Sequence, residues 1–138
     1  MNMLEVFNKV EAHLLAQGVR SIRKSKMYMC AYRGEGGLRC AVGCLIKDEA
    51  YHKGLEGIAM WPDEKEDNYQ MLLQEALIKS GIDLNSTMTH MLSDLQSLHD
   101  TVRPEVWKQR LQKLRVKYLG IDTLNTCHEK TAIDRHNN

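Results

Sequence analysis

Four stretches of this chain repeat apolar residues at three- and four-residue steps, and three of them run into a glycine. That pattern commits the fold to helices before any other feature is weighed. In residues 3–16, Leu4, Phe7, Val10 and Leu14 fall on one face and Gly18 supplies a stop. Trp61-Pro62-Asp63 opens a second helix over about 64–80, with Tyr69, Leu72, Leu73, Ala76 and Leu77 as its stripe and Gly81 as its end. Asn85 or Ser86 caps a third that runs to about Asp100, with Met88, Met91, Leu92 and Leu95 facing inward. Pro104 stands at a first helical position and opens a fourth, which carries Trp107, Leu111, Leu114 and Tyr118 and stops at Gly120.

The segment between the first two helices does not fit this pattern. VRSIRKSK is basic and too poor in apolar residues to predict an element. MYMCAYRG and LRCAVGCLI read as two strands around Gly34, Glu35, Gly36 and Gly37, since glycines provide the positive φ angles of a tight turn. A turn at Glu35-Gly36 sets Tyr32 opposite Arg39, whereas a three-residue loop centred on Glu35 sets Cys30 opposite Cys40. Asp48 is a candidate cap for one short helical turn, which breaks at Gly54 and Gly57. The expected class is α+β, mainly α, with about four helices packed around one β-hairpin. Residues 1–121 form one globular domain, and 122–138 have no periodic face and read as a polar, flexible tail.

A chain of 138 residues can bury a core without disulfide or metal staples. No apolar run approaches the roughly 18 residues that a membrane span requires. The start, MNMLEVFNKVEAHLL, lacks the basic opening and cleavage site of a secretory signal. A cytoplasmic protein is therefore expected, with its four cysteines reduced.

Three cysteines lie within CAYRGEGGLRCAVGC, residues 30–44. Nine residues separate Cys30 from Cys40 and three separate Cys40 from Cys44, which is not the paired spacing of a tetrahedral zinc site. Cys127-His128 lies in the tail. Small buried hydrophobes account for these thiols better than ligands or a redox pair, so neither a metal nor a cofactor is expected. GEGG lacks the ending of a phosphate-binding Walker loop and a strand–turn–helix context. His90 and His99 do not share a helical face, and no hydrolase or metalloprotease motif is present, so an enzyme is not expected. Asp48-Glu49 and the acids from Asp63 to Asp67 suit helix starts.

A net charge of +1 conceals blocks of charge. Residues 17–47 hold seven basic side chains against Glu35 alone, residues 48–75 hold eight acids against two bases, and residues 103–118 hold six bases against Glu105. Within the first block, Arg33 and Arg39 flank the glycine-rich turn and Arg23 and Lys24 precede it. Arginine forks suit phosphate, and Tyr32 offers a ring for stacking, so Arg23, Lys24, Tyr32, Arg33 and Arg39 are the candidate binding residues. The fourth helix presents Lys108, Arg110, Lys113, Arg115 and Lys117, a basic face of the kind that meets nucleic acid or an acidic partner.

The stretch CAYRGEGGLRCAVGCLIKDEAYHKGLEG resembles a segment of small uncharacterised proteins of tailed bacteriophages and prophages. The matching residues are Cys30, Tyr32, Arg33, Arg39, Cys40, Ala41, Val42, Gly43, Leu45, Ile46, Asp48, Glu49, Tyr51, Glu56 and Gly57, about a fifth of the chain. The resemblance implies a phage accessory protein and no catalytic residues. By analogy with that setting, such a protein counters host defence by binding a host protein or by sequestering a nucleotide signal. Two other readings are a nucleic-acid-binding module, with or without zinc, and an oligomeric assembly protein.

Overall fold

The computed structural model describes residues 1–24, 28–60 and 68–120. Helix α1 (Met3–Gln17) leads to strands β1 (Ile22–Lys24) and β2 (Tyr28–Cys30). Three short 3-10 turns follow, at Glu35–Gly37, Gly43–Leu45 and Lys53–Leu55. Helices α2 (Asn68–Lys79) and α3 (Ser86–Thr101), a 3-10 turn at Pro104–Val106 and helix α4 (Trp107–Leu119) complete the order. The class is α+β, mainly α: the described residues form four α-helices and one two-stranded antiparallel sheet.

The helix boundaries follow from local punctuation. Asn2 accepts the Glu5 N–H and Asn85 accepts the Met88 N–H, each at 2.9 Å, and such a cap stabilises a helix by about 1 kcal/mol. Gly18 and Gly120 close α1 and α4 with φ of 67° and 66°, the left-handed conformation that side chains resist. α4 packs on both α1 and α3, so Phe7, Met91, Leu95, Trp107 and Leu111 share one core with Leu73, Ala76 and Leu77 of α2. Burying a Leu or Phe fully contributes about 1.5–3 kcal/mol.

Two inward faces differ from the periodic reading. Leu4 is 43% exposed and Val6 takes its place, so the buried stripe of α1 is Val6, Phe7, Val10 and Leu14. Leu72 of α2 also faces outward. The expected opening of α2 at Trp61-Pro62-Asp63, the Tyr69 side chain and the tail 122–138 with Cys127 and His128 lie outside the described residues.

The hairpin stands earlier in the chain than expected. Ile22 pairs with Cys30, Arg23 with Met29 and Lys24 with Tyr28, so the basic stretch whose apolar pattern predicts no element supplies a strand. Its partners are distant: the Ser21 N–H donates to His99 Nε2 of α3 at 3.0 Å, and the Ser21 carbonyl accepts the Ala31 N–H. The glycine-rich centre does reverse the chain, with Gly36 and Gly37 at φ of 65° and 80°. Only one bridge forms across it, Arg33 opposite Arg39, which matches neither expected register. Beyond that bridge, LRCAVGCLI is not a strand. Cys44, Leu45 and Ile46 donate backwards to Cys40, Val42 and Gly43 in helical turns. Gly43 lies against the Tyr32 backbone, where an added Cβ would stand 2.0 Å from the Tyr32 carbonyl oxygen.

Candidate functional site

Around the hairpin, packing determines which side chains are left over for binding. Gly34 rests on β1: a Cβ there would come within 2.5 Å of Ser21 Oγ and 2.9 Å of the Ile22 N and O atoms. Only glycine lets the turn lie that close. The consequence is a cavity of about 460 Å³ lined by Arg23 and Lys24 of β1 and by Arg33, Gly34 and Glu35 of the turn. Glu35 accepts the Lys24 N–H at 3.1 Å and is the only acid among the described residues that line the cavity.

Arg33 is held on several sides. Its Nη2 lies 2.7 Å from Asp48 Oδ1 and donates to the Ile46 carbonyl at 3.2 Å, while its guanidinium carbon sits 4.2 Å above the Tyr51 ring. Its Nε is buried and makes no hydrogen bond. Tyr51 in turn donates its hydroxyl to Glu56 Oε2 at 2.8 Å, and burial together with this carboxylate pushes the phenol up. Glu56 also accepts the Tyr32 and Arg33 backbone N–H groups at 2.8 and 3.2 Å.

Two of the five candidate binding residues are placed elsewhere. Arg39 shares Asp48 Oδ1 with Arg33, at 3.3 Å, and is not among the cavity walls. Its backbone is gripped by α1: Gln17 accepts the Arg39 N–H, and Gln17 Nε2 donates to the Arg39 carbonyl. Tyr32 is 5% exposed and donates its hydroxyl to the Ile58 carbonyl, so its ring belongs to the core and offers no stacking platform. Asp48 does not cap a helix. It is the counterion to both arginines, a role that its sequence neighbours do not reveal. On α4, Arg115 is not part of the outer basic face: it is 8% exposed, pairs with Glu11 and Asn8 at 2.9 Å and covers Phe7. Lys117 pairs with Asp94 at 2.8 Å.

Cys30, Cys40 and Cys44 are free thiols used in packing. Burial pushes Cys30 up to about 11 and Cys44 up to about 12, and it raises Cys40 as well, so none is an activated nucleophile at neutral pH. One cluster escaped the sequence reading. Ligand atoms of Cys30, His99 and Asp100 lie within 4.8 Å of one another, brought together where β2 meets the end of α3. Protons already close this cluster. His99 Nε2 accepts the Ser21 N–H and so bears no proton, which leaves Nδ1–H to donate to Asp100 Oδ1 at 2.7 Å. A metal on Nδ1 would need the ring proton moved to the nitrogen that faces a backbone donor. His99 also stacks on Trp107 at 5.7 Å, as a core residue.

No family model, no curated protein and no solved structure matches this chain. Among the described residues no helix is long and apolar enough to cross a membrane.

Proposed function

We propose that this chain is a small accessory protein of tailed-phage type that acts in the host cytoplasm by binding rather than catalysis. It counters host defence by sequestering an anionic nucleotide signal in the cavity formed by Arg23, Lys24 and Arg33. The observation that carries this reading is the convergence of these three bases on one cavity of about 460 Å³, within the range of small-molecule sites. The support Arg33 receives from Tyr51 and Ile46 pre-orients its fork, which lowers the ordering cost of binding an anion. The alternative basic face on α4 is weakened by the inward turn of Arg115 and the pairing of Lys117.

Isothermal titration of the full chain with a panel of cyclic mono-, di- and trinucleotides tests this reading. Arg23→Ala and Lys24→Ala should each weaken the binding nucleotide about tenfold, since a hydrogen bond to a charged group is worth about 1.5–3 kcal/mol. Arg33→Ala is a poorer probe, because its loss also removes structural contacts. Duplex DNA that binds instead, with a steep salt dependence, moves the reading to nucleic acid. No nucleotide binding, together with a host protein captured from infected cells, moves it to inhibition of that protein.

A further inference from the structure

We propose that a second cavity, of about 520 Å³ between β2, the 57–60 segment and α3, binds a small organic cation such as an arylammonium or amidinium. One wall is built mainly of Cys30, Tyr32, Ile58 and Met60, and the other of the polar side of α3, including Gln96 and Asp100. Cys30 and Tyr32 line this cavity and Arg33 lines the basic one, so neighbouring residues of one segment serve the two. Their charges are opposite.

Among the described residues lining this second cavity, Asp100 alone is charged at neutral pH. Its carboxylate is oriented rather than spent. Oδ1 accepts His99 Nδ1–H at 2.7 Å and Gln96 Nε2–H at 2.9 Å, and the Cys30 thiol also hydrogen-bonds this carboxylate. Arg20 commits Nε and Nη2 to the His99 and Val102 carbonyls at 3.1 and 2.9 Å and does not line the cavity. The Cys30 thiol, held up near 11, stays neutral and adds no second charge. A fixed single carboxylate with Ile58 and Met60 beside it suits a ligand with an apolar body and one cationic end. The Asp100 side chain is 37% exposed, so the cationic end meets the carboxylate at the rim while the apolar body enters beside Ile58 and Met60.

The probe is benzamidine, with benzamide as its neutral counterpart and benzoate as an anion, each titrated into ¹⁵N-labelled full-length protein. Benzamidine should saturably shift the backbone amides of Cys30, Ala59, Ser97 and Asp100. Benzamide should bind at least tenfold more weakly, and benzoate should not bind. Asp100→Asn, which retains an acceptor for His99, should level benzamidine with benzamide. Ser97→Trp, at an exposed edge of the cavity, should block both. Arg23→Ala should leave benzamidine unaffected, which separates this site from the basic cavity. The inference fails if benzamidine gives no saturable shift at these amides, if benzamide equals it on the wild-type chain, or if Asp100→Asn retains the preference.

Discussion

Gly43→Ala isolates the contact on which the glycine-rich segment depends. An alanine Cβ would sit 2.0 Å from the Tyr32 carbonyl oxygen, 2.7 Å from its carbonyl carbon and 2.8 Å from its Cα. All three are backbone atoms, so no rotamer change relieves the clash. The Tyr32 backbone is also tied, by its N–H to Glu56, and its hydroxyl by Ile58. Gly43 does not adopt a positive φ, so alanine carries no conformational penalty of its own and would gain about 0.4–1 kcal/mol by restricting the unfolded chain. Overpacking costs typically about 1–3 kcal/mol, and a contact with tethered backbone belongs at the top of that range. The expected net loss is about 2 kcal/mol, which corresponds to a fall in Tm of roughly 8 °C for a chain of this length. Gly54→Ala is the control, because its Cβ would meet only the movable His52 ring, at 2.9 Å from Nδ1. It should stay within about 0.5 kcal/mol of wild type. Thermal melting followed by circular dichroism reads both. A Gly43→Ala protein that melts with wild type would refute the close packing of the 40–44 turn under Tyr32.

Arg115→Ala should cost about 3 kcal/mol in urea denaturation, because it strands Glu11 and strips the cover from Phe7; a cost under about 1 kcal/mol would return Arg115 to the solvated face. Asp48→Asn should change stability by less than about 0.5 kcal/mol, since Asp48 is 78% exposed, yet tighten any anion bound beside Arg33 by removing a competing charge. Unchanged or weaker anion binding in titration would count against the cavity. Cys30 has its folded pKa raised from 9.0 to about 11, so the neutral thiol's contribution is intact below pH 9 and is lost as pH rises through 11. Denaturation from pH 8 to 11 should show this decline, and Cys30→Ala should make it shallower; identical slopes would contradict the burial of that thiol.

The parts of this fold legible in the sequence are those set by neighbours in the chain. Asn85, Pro104, Gly18 and Gly120 mark element ends because caps and left-handed stops act within a turn or two. The hairpin was misplaced because β1 is held from afar, through the hydrogen bond from Ser21 to His99, 78 positions on. No local pattern in VRSIRKSK encodes that bond. The same reason hid the Cys30–His99–Asp100 cluster and the burial of Arg115, whose partners Asn8 and Glu11 lie more than a hundred residues away. Arg23, Lys24 and Arg33 were legible as a basic group from charge alone, but their convergence depends on Gly34 lying on β1. Asp48 went unread as a counterion because the bridge between Arg33 and Arg39 delivers both arginines to it.

Segment 30–44 is pinned on three sides, and this separates what packing demands from what it leaves free. α1 holds Arg39 through Gln17 and His13, α3 holds the Val42 N–H through Gln96 Oε1, and Glu56 holds the Tyr32 and Arg33 N–H groups. Between these ties Cys40, Ala41, Val42 and Gly43 are buried, and Gly43 has no room for a side chain against the Tyr32 backbone. Tyr32, Gly43 and Glu56 are thus accounted for by packing and backbone hydrogen bonds. Arg23 and Lys24 are different. Their side chains stand on a strand held by its backbone and by Ser21, and the fold draws on no ion pair from either among the described residues. The strand carries a half-buried Arg23 and an exposed Lys24 beside an arginine whose buried Nε lacks a partner. That surplus of unneutralised charge, rather than the cysteines or the glycines, is where the binding function should be sought.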